Sequence, residues 1–178
     1  MSGEGWHVAL IGLPGAGKST VARLAADRLN YPLVDFDTAI ERRAGASIKE
    51  IFEQRGEAAF REMEAELTRE LVTAPASVLS PGGGWVTRQD VVELIRPRTI
   101  LVWLQVTPAT SVRRMGAGVS RRPLLMKGDP EAALAGILAE REPLYAAADM
   151  AIDTEVVAPQ SVALQVARLA SGWRGRVG

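Results

Sequence analysis

Three groups of residues in this sequence have the types and spacing to do chemistry. The first is Gly12-Leu13-Pro14-Gly15-Ala16-Gly17-Lys18-Ser19-Thr20, which fits the spacing GxxxxGK(S/T). In such a loop the backbone from Gly15 through Ala16, Gly17, Lys18, Ser19 and Thr20 turns its N–H groups onto phosphate oxygens, helped by the positive end of the helix that follows. Lys18 would reach the β- and γ-phosphates, and the Ser19 hydroxyl would ligate Mg2+. A nucleoside triphosphate is the expected ligand. The second group is acidic: Asp35-Phe36-Asp37 leaves an apolar run, and alternation in an extended segment would turn both carboxylates to one side. One carboxylate can serve Mg2+ through its water shell while the other accepts a proton from a substrate hydroxyl. Capping of a helix that begins near Thr38 is the structural alternative, and it is compatible with function for one of the pair.

The third group is basic: Arg61 within an otherwise acidic helix, Arg121-Arg122 before Pro123, and Arg141 before Glu142-Pro143. Taken singly, each fits a solvated surface. Taken together, they can clamp a carboxylate and neutralise a phosphoryl group in transfer. The stretch Ser80-Pro81-Gly82-Gly83-Gly84-Trp85 adds three consecutive glycines after an apolar run. Glycine costs conformational entropy, so the triplet implies a place where main-chain N–H groups come close to a substrate oxygen.

Composition narrows the setting. With 178 residues and 47% hydrophobic content, the chain fits one domain with its own core. Lysine plus arginine (21) equal aspartate plus glutamate (21), so no basic field favours nucleic acid or an anionic membrane. The absence of cysteine excludes disulfides, thiolate catalysis and cysteine-zinc sites. The single histidine, His7, lies beside Trp6 in an apolar run and reads as structural. No apolar stretch reaches the ~20 residues of a membrane helix, and the N-terminus does not read as a signal peptide. A cytoplasmic monomer is the expectation.

The elements that must position these groups follow from periodicity. Short apolar runs alternate with longer segments of helical period, which predicts an α/β domain whose five-stranded parallel sheet is flanked by helices. Strands are expected at His7 to Gly12, Tyr31 to Phe36, Ser77 to Ser80, Thr99 to Val106 and Met150 to Asp153. Helices are expected at Lys18 to Leu29, Glu57 to Leu71, Gln89 to Ile95, Ala109 to Met115, Glu131 to Tyr145 and Ser161 to Ala170. Phe60, Met63, Leu67 and Leu71 form the core-facing stripe of the second of these. In such sheets ligands bind beyond the carboxyl ends of the strands, where the phosphate loop, Asp35-Phe36-Asp37 and the glycine triplet all fall.

This ordered set resembles the shikimate kinase family from about Val8 to Ala170. The resemblance rests on the phosphate loop, DFDTAIE, GEAAFREMEAE, the glycine triplet, RPLL from Arg122 to Leu125 and REPLY from Arg141 to Tyr145. It implies a P-loop fold like that of the nucleoside-monophosphate kinases, with a mobile lid at about 116–129, and ATP-dependent phosphorylation of the 3-hydroxyl of shikimate. By position, Asp37 corresponds to the residue that binds the reacting hydroxyl, and Asp35 to the carboxylate near Mg2+. Arg61 and Arg141 correspond to arginines that bind the substrate carboxylate, and Gly82, Gly83 and Gly84 to substrate-binding glycines. Arg122 corresponds to the lid arginine that reaches the phosphates, with its neighbour Arg121 as the alternative. Arg113 or Arg114, with Pro159, are the candidates for the adenine. Two departures stand out: Trp85 follows the glycines where a small residue is common, implying a reshaped pocket edge, and Glu155-Val156-Val157 lacks the polar or basic residues common near the adenine. Other readings remain open, namely a kinase of gluconate type, a nucleotide kinase, or a ligand-sensing domain without catalysis. Arg61, Arg141 and the triplet favour a small carboxylated polyol as acceptor.

Overall fold

The computed structural model of the chain describes residues 5–121, 125 and 128–175, with the side chains of residues 120 and 121 outside that set. Five parallel strands, β1 (His7–Ile11), β2 (Leu33–Asp35), β3 (Val78–Ser80), β4 (Thr99–Gln105) and β5 (Met150–Asp153), pair in the order β2-β3-β1-β4-β5. Helices α1 (Lys18–Leu29), α2 (Phe36–Ala44), α3 (Ile48–Leu71), α4 (Gln89–Ile95), α5 (Pro108–Met115), α6 (Pro130–Tyr145) and α7 (Pro159–Gly172) connect and cover them. Among the described residues, no helix is long and apolar enough to cross a membrane.

The central strands are apolar on both faces because each face meets a helical layer. Val8 and Leu10 of β1, with Ile100, Val102 and Leu104 of β4, pack with residues of α1 and α7. Ala9 and Ile11, with Leu101 and Trp103, pack on the other side with residues of α2, α3 and α4. His7 has the structural place its surroundings predict. It is fully buried, Nδ1 accepts from the Ser77 N–H at 3.1 Å, and Nε2 lies 2.9 Å from the Leu71 carbonyl, to which the neutral ring donates. Burial lowers its pKa.

Local chemistry corrects two expected boundaries. α3 begins at Ile48 rather than at Glu57, because Ser47 and Glu50 form a reciprocal capping box and Gly56, at φ 79°, lets the chain bend and continue. β2 ends at Asp35 rather than running through Phe36. The Asp35 carboxylate accepts from the Thr38 N–H at 3.0 Å, so the chain turns into α2 within the acidic motif. Alternation along a strand therefore does not relate Asp35 to Asp37; a helix cap and the first turn of the helix do.

Candidate active site

β1 sits at the middle of the sheet, so the loop leaving it is flanked by the end of β3 on one side and of β4 on the other. Gly17, with φ 92°, occupies the N-cap of α1 without any side-chain cap, which leaves the first amides of the helix for a ligand. A side chain at Gly12 would meet the Leu104 carbonyl at 2.6 Å, so the loop packs directly over β4. Lys18 folds back, its Nζ donating to the carbonyls of Gly12 at 2.9 Å and Leu13 at 2.8 Å. A cleft of about 200 Å³ opens here, lined by Gly15, Gly17, Lys18, Ser19, Thr20, Asp35, Asp37 and the start of the glycine triplet.

The Ser19 hydroxyl donates to Asp35 Oδ2 at 2.9 Å. Asp35 thus caps α2 with one oxygen and meets the phosphate loop with the other. A hydroxyl and one carboxylate suit Mg2+, which keeps several waters and takes its remaining ligands from phosphates. No cluster of three or more acidic or histidine groups exists among the described residues to hold a metal alone.

A second cavity of about 740 Å³ adjoins the cleft, and the two share Asp37, Gly82, Gly83 and Met115. Its walls include Phe52, Phe60, Arg61, Gly84, Leu125, Ile137 and Arg141. The glycine triplet is required by close approach. A Cβ on Gly82 would lie 2.8 Å from Glu64 Oε1, one on Gly83 would lie 3.2 Å from the Gly12 carbonyl, and one on Gly84 would lie 2.5 Å from Arg61 Cζ. All three distances are too short for a side chain to fit without displacing its neighbour.

The arginines differ in how fully the protein uses them. Arg61 donates through Nη1 to Glu64 at 2.6 Å and through Nη2 to Glu57 at 3.0 Å, so its charge is already doubly matched. Glu64 is 1% exposed, and burial pushes its carboxyl above the usual range against the pull of Arg61. Its Oε1 has no hydrogen-bond partner. Arg141 is 7% exposed, and its Nε has none either. Glu64 carries no signal in composition, yet it lies three residues after Arg61 on a helix, the spacing at which a carboxylate meets a guanidinium.

Trp85 does not reshape the pocket edge: it lines neither cavity. It is 1% exposed, packs edge-on against Phe36 and donates through Nε1 to Thr68 Oγ1 at 2.9 Å. On the β4 and β5 side, Arg114 is committed to the Thr154 hydroxyl and carbonyl, tying α5 to the segment after β5. Glu155 accepts from the Thr107 amide and the Thr110 hydroxyl, which hold its pKa down at about 2. Arg113, which also donates to Thr110 Oγ1, is exposed, as is Pro159 at the start of α7. Arg122 lies outside the described residues, as do Pro123, Leu124, Met126 and Lys127.

Comparison with known proteins agrees with this geometry. The sequence pattern of the shikimate kinase family matches residues 14–170. The shikimate kinase of Moorella thermoacetica is 41% identical over 167 residues, covering 94% of this chain and 95% of that protein. The structure of the Acinetobacter baumannii shikimate kinase in complex with shikimate superposes with a TM-score of 0.87 at 36% identity, covering 92% of each chain. A gluconokinase of Sinorhizobium meliloti, covering 93% of this chain and 94% of its own, reaches a TM-score of 0.61 at 19% identity, which is likeness of fold alone. With a phosphate loop beside an arginine-lined cavity and with relatives that match nearly end to end, the chain belongs to the shikimate kinase family.

Proposed function

We infer that this protein transfers the γ-phosphoryl group of ATP to the 3-hydroxyl of shikimate, giving shikimate 3-phosphate and ADP. The observation that carries the reading is the position of Asp37, on the wall shared by the phosphate cleft and the arginine-lined cavity. A hydroxyl held in that cavity would meet the γ-phosphorus at this boundary. The acceptor oxygen forms the new P–O bond, the bond to the ADP oxygen breaks, and the hydroxyl proton passes to Asp37 Oδ. Lys18 and the loop amides stabilise the charge on the phosphate oxygens. Ser19 and Asp35 would hold Mg2+, which supplies positive charge at the β- and γ-phosphates.

Arg141, whose side chain lines the cavity, binds the shikimate carboxylate, and Arg61, already held by two glutamates, braces the same wall. The backbone of Gly82, Gly83 and Gly84 bounds the ring. Arg113 and Pro159 flank the adenine on the far side of the phosphate loop, where the ends of β4 and β5 lie. Arg122 would be the lid arginine that serves the phosphates, and Leu125 of the segment 116–129, buried in the cavity wall, supports a closing role for that segment. The reading includes a single domain acting as a monomer.

The test is ADP release with ATP, Mg2+ and an acceptor panel of shikimate, a reduced analogue with a neutral alcohol in place of the carboxylate, gluconate and nucleoside monophosphates. Shikimate should be turned over fastest, and the alcohol analogue poorly. Faster use of gluconate or a nucleotide would refute the acceptor, and shikimate binding without ADP release would refute catalysis.

A further inference from the structure

Four residues after Arg141 on α6, Tyr145 is fully buried, with its ring stacked on Trp103 at a centroid distance of 5.8 Å. Its hydroxyl donates to the Gly83 carbonyl at 2.8 Å, across 62 residues of sequence. Burial pushes the Tyr145 pKa up, and the positive charge of Arg141, one turn back on α6, pulls it down. A phenol has one proton to donate, and here it goes to the main chain of the middle glycine. Gly83 in turn presses on the phosphate loop, whose Gly12 carbonyl accepts from Lys18. Tyr145 itself lines neither cavity.

We propose that Tyr145 is a positioning residue for the acceptor: its hydroxyl ties the helix that carries Arg141, one turn earlier, to the Gly83 carbonyl, so that the glycine wall and the carboxylate-binding arginine face the same molecule. The proposal rests on the shikimate reading of the cavity. The ring is not what matters for binding, because the stack on Trp103 survives loss of the oxygen. Without the hydroxyl, the Gly83 carbonyl loses its donor and the turn of α6 that carries Arg141 loses its tie to the glycine wall. The phosphate loop keeps its own bonds, among them Ala16 N–H to the Leu13 carbonyl and Lys18 to Gly12 and Leu13. The effect therefore falls on the acceptor and not on ATP.

The experiment is calorimetric titration of shikimate, and separately of ATP, into wild type, Tyr145→Phe and Trp103→Phe, with steady-state kinetics and thermal melts of each. Tyr145→Phe should bind shikimate about tenfold more weakly, with a matching rise in its KM, while kcat and the ATP affinity stay within about twofold. Trp103→Phe disturbs the stack but spares the hydroxyl. It should melt lower and keep its shikimate affinity. Wild-type shikimate affinity in Tyr145→Phe would overturn the proposal, as would an equal loss in Trp103→Phe or a parallel loss of ATP binding. A Tyr145→Phe chain that does not fold would also overturn it, since the hydroxyl would then support the whole fold. A wild type that binds no shikimate would overturn the functional reading first, and the proposal with it.

Discussion

Replacing Arg61 with alanine strips Glu64 of the cation that faces it, and the consequence is a stability defect that depends on pH. The Glu64 side chain is 2% exposed and that of Arg61 12%, at a separation of 2.6 Å. Removing one partner of a buried pair costs roughly 3–5 kcal/mol; the residual exposure of Arg61 and the nearby charge of Arg141 reduce that to about 2–3 kcal/mol at pH 8. For a chain of this size, each kcal/mol moves Tm by roughly 2–4 °C, so the variant should melt about 5–10 °C below wild type. Burial already raises the Glu64 pKa in the folded protein, and loss of Arg61 raises it further. A group whose folded pKa is raised is tolerated below its unfolded value, ~4.3, and becomes costly as pH climbs through the folded value. At pH 5, holding Glu64 protonated costs only about 1 kcal/mol, so the gap between the two proteins should shrink there. Parallel thermal melts from pH 5 to 8 read the difference, and titrations common to both proteins cancel. Adding Glu64→Gln to Arg61→Ala should restore most of the lost Tm and flatten the profile. A gap that is the same at pH 5 and pH 8, or a double variant no more stable than the single, would refute the buried-pair reasoning.

Three further outcomes are expected. Gly84→Ala places a methyl group against the Arg61 guanidinium and should displace it from Glu64, lowering Tm and weakening shikimate binding together; wild-type behaviour in both would show that the wall yields at no cost. Lys18→Met should abolish ADP release while Tm stays within about 3 °C of wild type, since the Lys18 side chain lines the open cleft and is not part of the apolar core; turnover near that of wild type would remove it from the mechanism. Asp37→Asn should lower kcat by roughly 10² to 10⁴ with ATP affinity little changed, and an unchanged kcat at saturating shikimate would leave Asp37 no role as proton acceptor.

The sequence determined by itself whatever depends on neighbours along the chain. GxxxxGK(S/T) between an apolar run and a helical period specifies a phosphate loop, because the strand, the turn and the helix start are all local. Alternating strand and helix signals specify a parallel α/β sheet for the same reason. Ser47 and Glu50 also announced the start of α3 in the spacing of a capping box, a local signal that the stronger stripe from Phe60 to Leu71 obscured. Tertiary structure alone decided which groups meet. Nothing near Trp85 in the chain places it in the core against Phe36 rather than at a pocket edge. The inequality of Arg61 and Arg141 depends on which carboxylates reach them, and the bond from Tyr145 to Gly83 joins the end of α6 to the loop after β3, far apart in sequence. The glycine triplet shows the division most plainly. Its composition announces a close approach, but what approaches, Glu64, the phosphate loop and Arg61, is set by the order in which β3, β1 and α3 pack. Periodicity encodes the faces of elements, whereas the partners of those faces are selected by burial and charge pairing once the whole chain has folded.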